Sequence, residues 1–365
     1  MKITIIGNNA QNMAISDGGR IKIRLFADLL SKENCDVNII ELEGWNRHPF
    51  SLIRKIQKSI KNKERIIIMA GPKGCRKIIP LVSHFNKKGK AKIVFCPLGI
   101  GALDYVIKDM KPAEAQAFLS GELEIKKSDA KMGNMLSKFE YVVVQNKILF
   151  ERYKSFYKLD NVVVLENFRN VEITDKEYST NKKELSIIYS SRVKGYKGIL
   201  DLMKAVQELN RDSEYSFQLD IYGENQLSDL ENELFNKFLE SESLNYCGII
   251  DSKEMIRTLK QYDVFCLPTK YYGEGTSGSL IEAMLSGTPV LVSNYSQASE
   301  IITNNLTGFI YEFDCIQDLK NKLLYLAANK IVLKEIGKNA QKEAIKYTYL
   351  GNKNNFLKIM IGDNK

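Results

Sequence analysis

Short runs rich in Ile and Val alternate along the chain with longer stretches in which apolar residues recur every three or four positions. The short runs predict buried strands and the longer stretches amphipathic helices. Their alternation predicts βαβ units and an α/β fold with parallel sheets. Strands are expected over residues 3–6, 37–40, 66–70, 92–96, 141–144 and 162–165. A second series is expected over 185–190, 218–222, 246–248, 264–268, 290–293 and 309–311. Between the two series, residues 170–184 are dense in Thr, Lys, Glu and Asn and poor in apolar side chains, which reads as a domain junction. The expected organisation is two doubly wound domains, 1–168 and 169–347, each binding ligands at the carboxyl ends of its strands. Residues 333–360 read as helical, and the segment from about 348 to 365 is expected to return and pack on the first domain.

A chain of 365 residues suits two cores of this kind. The N-terminal apolar stretch is too short for a signal peptide, and no apolar run approaches the roughly 18 residues that span a bilayer, so the expected location is the cytosol. Six scattered cysteines without a CxxC pair read as buried, reduced thiols. With only His48 and His84 present, a His-rich metal site is excluded by count, while a carboxylate-bound ion is not. His84 lies on an apolar helix and reads as structural.

Charge divides the chain. Residues 1–165 hold 29 Lys and Arg against 16 Asp and Glu, leaving 24 against 28 for residues 166–365. The carboxylate-free run from Arg65 to Leu103 lies wholly in the basic half. That half is expected to face something anionic. Residues 51–63 put Leu52, Ile53, Ile56 and Ile60 on one helical face with lysines around the rest. Such a helix either lies on an anionic membrane surface or packs against the core with a solvated basic face, and the neighbouring basic run favours membrane contact. Nucleic acid is disfavoured as the partner, because the basic stretches lack aromatic interleaving and no RNA or DNA module is recognisable.

The most informative stretch is Tyr271-Tyr-Gly-Glu-Gly-Thr-Ser-Gly-Ser-Leu-Ile-Glu-Ala-Met-Leu-Ser-Gly-Thr-Pro-Val290. It follows a predicted strand with a glycine-rich loop and a helix over about 279–286, ended by Gly287 and Pro289. A helix N-terminus opening from such a loop offers unpaired N–H donors and about half a positive charge, which suits phosphate. Glu274 before that terminus suits sugar hydroxyls. Glu282, one turn inside, suits the paired hydroxyls of a ribose, because a carboxylate accepts two hydrogen bonds. Upstream, Ser190-Ser-Arg-Val-Lys-Gly-Tyr-Lys-Gly198 ends a strand and starts a helix with two cations, Arg192 and Lys197. Neither GxGxxG nor a Walker loop is present, which removes support from dehydrogenase and NTPase readings.

Glu274 and Glu282 with seven residues between them, Ala283-Met284, Gly287-Thr-Pro-Val290, Glu300-Ile301 and Thr307-Gly308-Phe309 together resemble the donor-site signature of family-4 retaining glycosyltransferases. The resemblance covers about residues 185–315. Arg192 and Lys197 look like that family's diphosphate-binding cations. Ser191 stands where the family has Gly before the Arg, and Thr276-Ser277 where Phe-Gly is common. At 95–101, where many relatives carry a His, this chain has none.

The resemblance implies the GT-B fold: two Rossmann-like domains facing across a cleft, acceptor domain first and donor domain second. It also implies transfer of a sugar from a nucleoside diphosphate sugar, with UDP favoured, to a saccharide hydroxyl, without a required metal or cofactor. Glu274, Arg192 and Lys197 are the expected catalytic residues. Gly19, Gly275, Thr276, Ser277, Gly278, Glu282 and Glu300 are the expected donor-binding residues. The acceptor implied is a glycan precursor, built on a lipid diphosphate, of capsule, exopolysaccharide or O-antigen assembly. A nucleotide-sugar epimerase or phosphorylase of the same fold, and a noncatalytic transferase-like partner protein, are the alternatives.

Overall fold

The computed structural model describes residues 1–8, 18–44, 47–125, 129–178 and 183–362. They form two compact units. Unit 1 comprises Met1–Asn167 and Asn352–Lys365, and unit 2 comprises Phe168–Gly351. In unit 1 the strands are β1 (Lys2–Gly7), β2 (Asp36–Glu41), β3 (Arg65–Met69), β4 (Ile93–Phe95), β5 (Tyr141–Val144) and β6 (Val162–Val164). In unit 2 they are β7 (Glu184–Ser190), β8 (Ser216–Tyr222), β9 (Leu244–Gly248), β10 (Val264–Leu267), β11 (Val290–Ser293) and β12 (Phe309–Tyr311). Every expected run forms a strand, with ends shifted by no more than two residues.

Both sheets are parallel throughout. Unit 1 has the order β2-β1-β3-β4-β5-β6 and unit 2 the order β12-β11-β10-β7-β8-β9. The second is the Rossmann order, in which the chain leaves β7 toward one edge, returns at β10 and continues toward the other. The crevice at that reversal lies beyond the carboxyl ends of β7 and β10. Helices on both faces explain why the strands read as unbroken apolar runs: in β3, β10 and β11 every residue is buried.

Two segments between elements are held in ways that their composition does not show. The polar stretch after residue 170 follows directly on the boundary between the units, and its described part is fastened onto unit 2. The Lys176 ammonium donates to the carbonyl oxygens of Lys260 and Tyr262, the latter at 2.7 Å. Burial holds that ammonium down to about 8. The Tyr178 hydroxyl donates to the Gly287 carbonyl at 2.7 Å. In the helix Pro49–Lys61, Leu52, Ile56 and Ile60 are already buried in unit 1, so the apolar stripe is spent on the core. Arg54, Lys55, Lys58 and Lys61 stay exposed, as does Phe50 at 76%. Among the described residues no helix is long and apolar enough to cross a membrane.

The cysteines divide more evenly than expected. Cys75, Cys96 and Cys266 are buried, with desolvation pushing the first two thiols up to about 12, whereas Cys247 is exposed.

The last helix, Tyr349–Ile361, begins in unit 2 and ends in unit 1. Phe356, fully buried, meets Phe26 edge-on with ring centroids 4.9 Å apart. The Arg65 guanidinium donates to the Ile359 carbonyl at 2.8 Å, and the Asn355 amide donates to the Val164 carbonyl at 3.0 Å. Phe356→Ala is expected to destabilise unit 1 by about 3–5 kcal/mol, the usual result of emptying an aromatic site in a core. Urea unfolding followed by fluorescence and circular dichroism checks this.

Candidate active site

The pairing of β7 with β10 brings two loops to one place. Val264 and Phe265 lie beside Ile187 and Ile188, so residues 191–198 and 268–277 leave the sheet side by side. The Lys270 amide donates to the Tyr196 carbonyl at 2.8 Å. The Tyr196 and Tyr271 rings lie 5.7 Å apart, and the Lys270 ammonium reaches Asp201 at 2.9 Å. Gly198 makes this approach possible. It has φ +75°, and a Cβ there would stand 1.8 Å from the Pro268 carbonyl oxygen.

Lys197 precedes that glycine and is 6% exposed; Glu274 on the opposite loop is 9% exposed. The Lys197 ammonium donates to Glu274 Oε2. The same carboxylate oxygen accepts from the Thr269 hydroxyl at 3.3 Å. Thr269 is itself fixed, since its Oγ1 accepts from the Tyr271 amide at 3.2 Å and its carbonyl accepts from the Ser293 hydroxyl at 2.6 Å. The Tyr295 phenol is wholly buried, has no hydrogen-bond partner among the described residues, and is pushed up by burial with Glu274's charge adding to the effect. The expected diphosphate cation and the expected sugar carboxylate are thus one buried ion pair.

The helix Gly278–Leu285 starts directly after this loop. Ser277 stands at its N-cap with extended backbone, yet its side chain makes no capping bond and instead pairs with the Ser279 hydroxyl at 3.1 Å. The amides of the first turn therefore have no side-chain cap from Ser277. Glu282 lies one turn along and is 8% exposed. Side chains on a helix lean toward its N-terminus, which turns this carboxylate back toward Gly278. There its Oε1 accepts from Arg169 Nε at 2.5 Å.

Arg192 sits in the same loop as Lys197, half-buried, with its carbonyl accepting from the Tyr189 hydroxyl at 2.8 Å. Gly275 is half-buried and Thr276 buried in the loop joining the two carboxylates. Glu300 lies on the short helix Ala298–Ile301 after β11. That connection is tied to the Glu274 loop by the Ser296 hydroxyl, which donates to the Tyr272 carbonyl at 2.8 Å. Unit 2 thus brings Arg192, Lys197, Glu274, Gly275, Thr276, Ser277, Gly278 and Glu282 to one end of its sheet, with Glu300 on the next connection. Gly19 belongs to unit 1, in the first turn of the helix Gly18–Lys32, and the preceding loop 9–17 lies outside the described residues.

Sequence reasoning missed Thr269 and Arg169. Thr269 follows Pro268 at a strand end, where a buried hydroxyl carries no periodic signal. Arg169, a lone cation in Asn167-Phe-Arg-Asn170, stands 113 residues from its partner.

Comparison with known proteins agrees with this geometry. Residues 170–343, which lie within unit 2, match the family described as "Glycosyl transferases group 1". An uncharacterized glycosyltransferase of Methanocaldococcus jannaschii is 24% identical over 236 residues, covering 59% of each chain. An uncharacterized 41.2 kDa protein of the cps region of Klebsiella pneumoniae is 28% identical over 236 residues, covering 63% of this chain and 59% of that one. The matches thus span less than two thirds of either relative. Anabaena HepE, solved with UDP-glucose, superposes with a TM-score of 0.71 at 12% identity, covering 98% of each chain. At that identity the likeness concerns the fold, which is GT-B in class.

Removing one member of a buried ion pair leaves the other charge uncompensated. Lys197→Met is therefore expected to lower the stability of unit 2 by about 3 kcal/mol, whereas Lys197→Met combined with Glu274→Leu returns most of it. Thermal and urea unfolding of the single and double variants check the difference.

Proposed function

We propose that the protein is a retaining glycosyltransferase. It moves a sugar from a nucleoside diphosphate sugar, with UDP as the favoured nucleotide, to a hydroxyl of a growing glycan. The observation that carries this reading is the pair of buried carboxylates, Glu274 and Glu282, flanking a helix N-terminus at the reversal of a Rossmann-ordered sheet, with Lys197 against the first. The group 1 match over residues 170–343 supports it, and the UDP-glucose complex of a protein with the same fold supports the choice of nucleotide.

In this reading the donor diphosphate lies against the first turn of Gly278–Leu285, with Arg192 and Lys197 on its oxygens. Glu282 accepts from the ribose hydroxyls. Glu274 and the amides from Gly275 to Gly278 hold the donor sugar, with Glu300 at its edge. As the bond between the anomeric carbon and the diphosphate oxygen breaks, electrons pass to the departing phosphate, and preorganised cations lower the barrier. Lys197 leaves a carboxylate for a phosphate when the donor enters, exchanging one anionic partner for another. No metal is required by this scheme, because the two cations supply the charge.

The acceptor is proposed to be a lipid-diphosphate-linked saccharide met at the inner face of the cell membrane. The exposed basic face Arg54, Lys55, Lys58 and Lys61, with Phe50 beside it, supports this, as does the relative from a cps region. Membrane contact of this kind is electrostatic, each cation near an anionic surface contributing on the order of 1 kcal/mol.

Calorimetric titration with UDP, GDP, ADP and TDP tests the donor site. One nucleotide is expected to bind, and Arg192→Ala and Glu282→Ala are each expected to weaken it at least about tenfold, as loss of a charged hydrogen bond does. Folded wild-type protein that binds none of the four would replace this reading with that of a noncatalytic partner. Isomerised donor without acceptor would indicate an epimerase. For the membrane contact, vesicles containing anionic phospholipid are expected to retain the wild-type chain at low salt. Retention is expected to fall when Arg54, Lys55, Lys58 and Lys61 become Gln, with equal retention of both overturning that part of the proposal.

A further inference from the structure

The chain enters unit 2 at Phe168 and leaves it after Gly351, and the two segments beside that crossing are hydrogen-bonded to each other through an isolated bridge between Arg169 and Thr348. The Arg169 amide donates to the Tyr347 carbonyl at 2.9 Å, and the Tyr349 amide donates to the Arg169 carbonyl at 2.8 Å. Arg169 is thus anchored on both sides of its backbone at the crossing itself. Its side chain, 5% exposed, reaches away from the crossing to the donor-site helix. There Nε donates to Glu282 Oε1 at 2.5 Å, while Nη1 donates to the Phe168 carbonyl at 3.1 Å.

The guanidinium lies directly over Gly278. A Cβ on that residue would stand 1.5 Å from Nη2, so the first residue of the helix has to lack a side chain for Arg169 to occupy this place. A cation at a helix N-terminus opposes the helix dipole, which favours anions there. Its position is compensated by Glu282 on the same helix. The carboxylate has lone pairs for about four donors, and this bond uses one of them, anchoring Oε1 while leaving acceptor capacity for a ligand. Arg, with its planar fork, can fix a carboxylate's orientation in a way that a lysine ammonium cannot.

We infer that Arg169 is a positioning residue for Glu282, holding the ribose-binding carboxylate in its working orientation from the point where the chain crosses between units. The inference rests on the reading of Glu282 given above and adds a residue outside the donor-site signature. Ribose recognition then depends on a side chain that does not itself touch the ribose. Nucleotide at Glu282 also tightens the crossing, since the side chain of Arg169 and its two backbone bonds belong to one residue.

The test uses the full chain and the nucleoside diphosphate selected by the panel above, with its 2′-deoxy counterpart. If that nucleotide is UDP, the pair is UDP and 2′-deoxy-UDP. Wild-type protein is expected to prefer the ribonucleotide by about tenfold, the scale of one hydrogen bond to a charged group. Arg169→Met and Glu282→Gln are each expected to bring that ratio close to one, and combining them is expected to change it no further. Arg169→Lys is expected to recover part of the preference.

Weakening of both ligands by the same factor in Arg169→Met, with the ratio preserved, would show a merely structural role and overturn the inference while leaving Glu282's role intact. A wild-type ratio of one, or a ratio unchanged by Glu282→Gln, would remove the ribose role of Glu282 and the inference together. Should Arg169→Met fail to fold, Arg169→Lys decides: a full wild-type ratio overturns the inference. Hydrogen exchange supplies an independent readout. Nucleotide is expected to slow exchange at the Arg169 and Tyr349 amides in wild type, and unchanged rates there under saturating nucleotide would count against the coupling to the crossing.

Discussion

An ionised carboxylate removed from water costs several kcal/mol unless a partner replaces the lost hydration, and unit 2 buries two of them within eight residues of each other. Glu274 is met by Lys197 and Glu282 by Arg169. Those two requirements fix much of the surrounding structure. Lys197 must come from a loop beside the Glu274 loop, which demands that β7 and β10 be neighbours. Arg169 must come from a chain segment passing the helix N-terminus, which the crossing provides. The glycines at 198 and 278 follow from the same demand, one letting two loops touch and the other making room for a guanidinium.

Paired charges of this kind add little to stability compared with well-packed apolar groups. What they contribute is geometry. In the proposed function, a carboxylate already desolvated and oriented would need less reorganisation when sugar or ribose hydroxyls arrive, and a lysine already stripped of water would meet phosphate without first losing its hydration. The Tyr295 phenol, buried within reach of Glu274's charge, has no hydrogen-bond partner among the described residues. The surrounding hydroxyls of Thr269, Ser293 and Ser296 form the scaffold that keeps the loop from relaxing around its charges.

The twelve strands were legible because parallel sheets covered on both faces demand Ile, Val and Leu at consecutive positions, and few other elements make that demand. The two glutamates were legible because their separation places one before and one inside a helix, a local relation. Arg169 was not, because its partner is fixed only by the fold, and a single Arg beside Phe168 carries no period. How the stretch after residue 170 is held was not legible for a related reason. It is held by lysine ammonium groups on backbone carbonyls, contacts that leave no apolar period in the sequence. The helix Pro49–Lys61 shows the converse ambiguity, since an apolar stripe fits a protein core as well as a lipid surface. Here Leu52, Ile56 and Ile60 are in the core.

The helix Tyr349–Ile361, which starts in one unit and finishes in the other, gives the chain an unusual order of completion during synthesis. Unit 2 is a continuous segment, all of it made before Asn352. Unit 1 is begun first, yet the site around Phe26 stays open until Phe356 has been added and has cleared the ribosome. A domain usually folds as its own segment emerges. In this chain the unit that is started first is closed last, so a chain released without residues 352–365 keeps the whole segment of unit 2 but carries a unit 1 with an exposed apolar seam.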